Sequence, residues 1–176
     1  DSMKENIKMI KKLKKQNFIF AIATGRSYPS IKEKINIYQI PIDYIICCDG
    51  SIIYDNKGKI VDMFPINQEI VSSFIIFYQN IKYDEIQFSY PEGYLNNLYR
   101  DKKLLGINIC INNRLLTKKY INSFLKLKEQ YPAYNYLIYT HPTYSYLCIK
   151  PQNISKSYAI NSLKEKLNID DNDIYV

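Results

Sequence analysis

At 176 residues, 47% of them hydrophobic and 23% charged, the chain has a folded globular composition and room for one domain or a core with an inserted subdomain. No apolar run approaches the ~18 residues needed to cross a bilayer, and the opening DSMKENIKMIKKLKKQ lacks the apolar centre and small-residue cleavage site of a secretory signal, so a cytoplasmic protein without a membrane segment is expected. The net charge of +7 comes largely from lysines spread along helical stretches, without an RNP-like aromatic motif or a GxxG loop, and predicts a solvated face rather than a nucleic-acid surface.

In MKENIKMIKKLKKQ, Met3, Ile7, Ile10 and Leu13 recur at intervals of three and four, which predicts an amphipathic helix. NFIFAIA follows as a near-continuous apolar run, the pattern of a strand covered on both faces. Thr24-Gly25-Arg26 stops it. YPSIKEKINIY then reads as a helix with Ser27 as N-cap and Pro29 in its first turn. DYIICC is a second buried strand, and the helix, strand, helix, strand order predicts a parallel α/β sheet. Adjacent Cys47 and Cys48 would face opposite sides of that strand. With Cys110 and Cys148 they make four cysteines without a CxxC or metal-like spacing, which predicts buried free thiols.

The pattern changes after residue 50. SIIYDNKGKIVDMF predicts a hairpin turning at Asp55-Asn56-Lys57-Gly58, with Gly58 suited to a positive φ. Residues 65–149 predict an α+β unit of their own: helices over 68–79 and 117–130, strands over 85–89 and 106–111, and paired strands YNYLIYT and YSYLCIK around the His141-Pro142-Thr143 turn. ISKSYAINSLKEKLNI is a further amphipathic helix, and DIYV reads as the start of another buried strand. The expected organisation is a split core, 1–64 and 150–176, with a cap over 65–149.

Two short segments carry the chemistry. In an open parallel sheet ligands sit at the carboxyl ends of the strands, where Thr24 falls. Its hydroxyl and the following backbone N–H groups suit a phosphoryl oxygen, Gly25 permits close approach, and Arg26 suits a second anionic or polar group. In KPQNISKSYAI, Ser155 is an N-cap that places Lys156 in the first helical turn, where a cation opposes the helix dipole. A side chain set against its local field points to use rather than stability. Asp170, Asp171 and Asp173 read as a polar turn, and His141 as an exposed turn residue.

IFAIATGRSYPSI resembles the second motif of the haloacid dehalogenase superfamily, and CIKPQNISKSYAINSLKEKLNI resembles its third. The spacing, the YIICCDGSIIYD segment and the intervening α+β region resemble the Cof-type branch of sugar-phosphate phosphatases, in which a cap is inserted between those motifs. The resemblance implies a small phosphate ester as substrate, hydrolysis through an aspartyl-phosphate, and Mg²⁺ held by carboxylates of the first and fourth motifs. It also implies that Thr24 binds the transferring phosphoryl group, that Lys156 stabilises nucleophile and phosphoryl charge, that Gly25 keeps the loop tight, and that Arg26 faces the substrate.

Two departures accompany it. No Asp-x-Asp-Gly-Thr/Val precedes the first helix, and no Gly-Asp follows DIYV, so the nucleophile and the metal ligands are expected outside these residues. CCDGS matches the family's Asn-Gly-Ala element better than its first motif, with Asp49 in the Asn position, and no catalytic role is assigned to Asp49. The alternative expectation is a non-catalytic relative that keeps the fold as a phosphate-binding or interaction module. Substrate identity and oligomeric state stay open.

Overall fold

The computed structural model describes residues 2–175, which divide into two compact units: the residues up to Met63 with those from Ser155 onward, and Phe64–Ile154. The first unit contains α1 (Ser2–Lys14), β1 (Ala21–Ala23), α2 (Tyr28–Tyr38), β2 (Tyr44–Cys47), β3 (Ile52–Asp55) and β4 (Ile60–Met63). The second contains α3 (Gln68–Gln79), β5 (Glu85–Tyr90), β6 (Gly93–Leu95), β7 (Gly106–Asn112), α4 (Lys118–Gln130), β8 (Tyr134–Thr140) and β9 (Tyr144–Pro151). The chain then returns to the first unit as α5 (Lys156–Leu167).

The sheet of the first unit runs β1-β2-β3-β4, with β1 parallel to β2 and the remaining pairs antiparallel. Its central strands β2 and β3 bury both faces. Ile46 and Ile53 pack with Ala159 and Leu163 of α5, while Tyr28 of α2 stacks on Tyr54 of β3 with ring centroids 4.2 Å apart. The hairpin closes as its residues dictate: Asp55 accepts backbone N–H bonds from Lys57 at 2.9 Å and Lys59 at 2.8 Å, and Gly58 takes φ +87°. A Cβ on Gly58 would lie 2.6 Å from the Tyr28 hydroxyl, so the glycine also makes room for α2.

Several expectations for this unit need correction. β1 is a three-residue edge strand whose Ala21 and Ala23 are exposed rather than covered on both faces, and Phe18 and Ile19 before it are exposed too. Among the described residues its one hydrogen-bonded strand neighbour is β2. Ser27 occupies the N-cap position of α2 with extended backbone, but its side chain caps nothing. Cys47 ends β2 and Cys48 already belongs to a 3-10 turn, Cys48–Gly50, so the two thiols do not alternate along a strand. Both are buried and free, and burial pushes the Cys47 thiol up to about 12. The segment after α5 forms a 3-10 turn, Asp171–Asp173, and continues to an exposed Tyr175 without strand pairing among the described residues.

The second unit is an antiparallel five-stranded sheet, β6-β5-β7-β9-β8, with α3 and α4 against one face. Alternate residues Ile107, Ile109 and Ile111 of β7, with Leu147 and Ile149 of β9, meet Phe74, Phe77 and Phe124 of the helices in one core. Thr117 caps α4 by accepting from the Tyr120 N–H at 3.2 Å. Two tyrosines of this unit keep their hydroxyls bonded as their rings pack: Tyr90 accepts from the Tyr99 N–H at 2.7 Å, and Tyr136 donates to the Leu127 carbonyl at 3.0 Å. His141 is exposed at the β8–β9 turn, where it stacks on Tyr144. β6 is the strand that the sequence pattern does not announce.

Candidate functional site

Three segments of the first unit meet at the carboxyl end of the parallel β1–β2 pair. The first is the Thr24-Gly25-Arg26 turn. The Thr24 N–H donates to the Ile46 carbonyl at 2.9 Å, which extends the parallel ladder by one rung and holds Thr24 at the strand end. The Thr24 hydroxyl accepts from the Arg26 N–H at 3.2 Å. That amide is therefore engaged in fixing the hydroxyl rather than offered to a ligand, which narrows the expected set of donors. A threonine hydroxyl that accepts one bond still has its own proton to donate.

The second segment is Cys48-Asp49-Gly50, where three consecutive residues take positive φ: +51°, +56° and +106°. Left-handed backbone is uncommon for a cysteine and costs on the order of 1–3 kcal/mol per strained residue. The turn is tied to the first segment by two hydrogen bonds, from the Cys48 N–H to the Arg26 carbonyl at 3.0 Å and from the Asp49 N–H to the Thr24 carbonyl at 3.1 Å. Its conformation brings the Asp49 carboxylate over Gly25. A Cβ on Gly25 would lie 2.7 Å from Asp49 Oδ1, so a larger residue there would push that carboxylate from its place.

The third segment is the start of α5. Ser155 caps it, accepting from the Tyr158 N–H at 3.1 Å, and Lys156 is its first residue. Gly50 packs directly on this cap: a Cβ there would stand 2.2 Å from the Ser155 carbonyl oxygen and 3.0 Å from the Lys156 nitrogen. The close approach sets Lys156 Nζ 3.7 Å from Asp49 Oδ1, an ion pair rather than a tight hydrogen bond, with both side chains at least a third exposed.

The structure thus gathers Thr24, Gly25 and Lys156 around Asp49, the residue to which the sequence assigned no catalytic role. A DG dipeptide ending the strand next to β1 is the signal that was available, because neighbouring parallel strands end at the same edge. Arg26 is exposed and its Nη1 reaches Ser30 Oγ at 3.5 Å, so its side chain runs along α2. Asp170, Asp171 and Asp173 are exposed; Asp170 caps its own turn, and Asp171 pairs with Lys164 at 2.6 Å. A separate cavity of about 500 Å³ lies in the second unit between α3 and α4, lined by Ser73, Phe77, Lys119 and Lys126 among others. It contains no part of this site.

A family model of haloacid dehalogenase-like hydrolases matches residues 2–130. The chain belongs to this family. Its sequence is similar to that of an uncharacterized protein of Mycoplasma capricolum, 28% identical over 98% of this chain and 73% of that one. Among solved structures, a protein from Geobacillus kaustophilus superposes with a TM-score of 0.71 at 19% identity, covering 97% of this chain and 70% of its own. The sucrose-phosphatase of Synechocystis, solved with sucrose and phosphate, superposes with a TM-score of 0.63 at 18% identity over 96% of this chain and 65% of its own. These structural likenesses concern the fold: a haloacid dehalogenase-like α/β architecture whose sheet includes a parallel pair.

Members of the family generally use Mg²⁺. Magnesium takes a near-octahedral oxygen shell anchored by carboxylates. The three segments described above supply one carboxylate, Asp49, and it is paired with Lys156. Among the described residues no group of three or more His, Cys, Asp or Glu is disposed to hold a metal ion. The residues present do not fit Mg²⁺ by themselves.

Proposed function

We propose that residues 1–176 carry the phosphate-holding part of a phosphatase acting on small phosphorylated metabolites, and that the nucleophilic aspartate and the Mg²⁺ ligands come from polypeptide outside them. The observation that carries this is the convergence of the Thr24 hydroxyl, the Gly25 turn and the Lys156 ammonium at one strand end. In this reading Thr24 donates to a phosphoryl oxygen and Gly25 leaves space for it. Lys156 neutralises charge that develops as the phosphoryl group transfers. Arg26, at the rim, contacts the rest of the substrate. Phosphoryl transfer draws most of its acceleration from such positioning and electrostatics. Membership of a hydrolase family and the fold shared with a sucrose-phosphatase support the reaction class.

Residues 1–176 alone, assayed with p-nitrophenyl phosphate or a sugar phosphate in Mg²⁺, are expected to give no turnover above a mock purification. The sole carboxylate at the site is held by Lys156, and a nucleophile of this kind must approach phosphorus in line with the leaving group. Turnover well above the mock would make Asp49 the nucleophile and contradict the proposal. Extending the chain through an Asp-x-Asp-Gly segment of the same reading frame is expected to produce hydrolysis. If the extended protein still binds phosphate but hydrolyses nothing, the non-catalytic binding module is the better reading.

A further inference from the structure

The Asp49 carboxylate lies over Gly25 and beside Lys156, two of the residues read above as the phosphate grip. We propose that Asp49 is a built-in competitor for this anion site: it partners Lys156 when no ligand is bound and weakens retention of free phosphate. The inference rests on reading Thr24, Gly25 and Lys156 as a phosphate grip.

The placement of the carboxylate is built, not incidental. Cys48, Asp49 and Gly50 hold three successive positive φ values, and the Arg26 and Thr24 carbonyls pin the turn from below. Gly50 is locked against the Ser155 carbonyl, so the turn cannot slide away from the start of α5. The side chain above is therefore delivered to one place.

That side chain is an anion. Lys156 is the cation paired with it, at 3.7 Å, and the Arg26 guanidinium is directed toward Ser30 instead. A phosphate entering the site meets the carboxylate's charge directly and must share or displace its hold on Lys156. Both effects weaken binding of a dianion. A phosphate monoester carries the same charged group and meets the same two effects, but a carbon portion that presents a hydroxyl or amine to the carboxylate offsets them, which bare phosphate cannot do. A phosphatase releases inorganic phosphate at every turnover, so a residue that loosens the bare anion favours product departure over accumulation.

The test is an equilibrium titration of the full chain with inorganic phosphate, followed by amide chemical shifts, in wild type, D49N, D49E and K156A. Asn tolerates left-handed backbone as Asp does, so D49N removes the charge and keeps the turn. The expected result is a phosphate Kd at least about five-fold lower in D49N, equivalent to ~1 kcal/mol, with D49E near wild type. A merely structural role for Asp49 would not produce a gain of binding. Equal or weaker binding by D49N, with K156A abolishing binding, overturns the competitor role and leaves the grip standing. Absence of saturable binding in wild type and D49N alike overturns the grip and the inference with it.

Discussion

Replacing Lys156 with alanine, in the protein that includes the family's nucleophile, is expected to lower turnover by at least ~10²-fold while the fold survives. The structural reasoning is local. Lys156 is the first residue of α5, half exposed, and it pairs with Asp49. An exposed pair of this kind contributes about 0–1 kcal/mol to stability. The helix itself loses little, because a cation at its start opposes the macrodipole. On the proposed function, what disappears is the positive charge that would neutralise the transferring phosphoryl group. A loss of ~10² in rate corresponds to ~2.7 kcal/mol of transition-state stabilisation. Steady-state kinetics with a sugar phosphate, beside a thermal melt of the same variant, separates chemistry from folding. Near-normal turnover would remove Lys156 from the mechanism. A melt that collapses along with activity would make its role structural.

The second large effect is expected at Gly50. Alanine there has no acceptable position: φ is +106°, and the new Cβ would stand 2.2 Å from the Ser155 carbonyl oxygen, a backbone atom that cannot rotate aside. Relief requires moving α5 away from the Cys48–Gly50 turn, which disturbs the packing of Ala159 and Leu163 on Ile46 and Ile53. Backbone strain and core disruption together place the cost at about 3 kcal/mol or more. Denaturant unfolding of G50A should therefore show a large drop in midpoint. Gly58→Ala is the informative comparison, since its φ of +87° is also strained but its nearest obstacle is the end of the Tyr28 side chain, which can swing out. A G50A protein as stable as wild type would mean that α5 and the turn are not locked together as described.

The sequence carried most of the element order because its periodicities are unambiguous. Gln68–Gln79 forms a helix over the range its pattern predicts, and YNYLIYT and YSYLCIK pair as the antiparallel hairpin that alternation requires. Errors arose where a local pattern has more than one tertiary outcome. FIFAIA reads as doubly covered, yet apolar runs say nothing of how many strands lie alongside, and Ala21 and Ala23 are exposed at a sheet edge. Gly93–Leu95 is too short to show a period, and it becomes a strand only by pairing with Phe88–Tyr90. Ser27 has the residue type and backbone of a cap but is buried, and its side chain makes no capping hydrogen bond.

The site was legible in part for a similar reason. Thr24, Gly25 and Lys156 stand out through residue type and position at strand or helix ends, which sequence reveals. Asp49 owes its place to three positive φ values and to Gly50 meeting Ser155 across about a hundred residues of chain, contacts that no spacing rule encodes. Arg26 illustrates the converse. Its type suits an anion, but the neighbouring Ser30 is within reach along α2.

The most direct test of the central claim is an amide chemical-shift map of residues 1–176 titrated with inorganic phosphate at constant ionic strength. The account predicts saturable shifts concentrated in residues 24–26, 48–51 and 155–158, because these three segments form one site around Asp49 and Lys156. Shifts confined to the lysine-rich surfaces of α1 or α4, with those three segments unmoved, would contradict it.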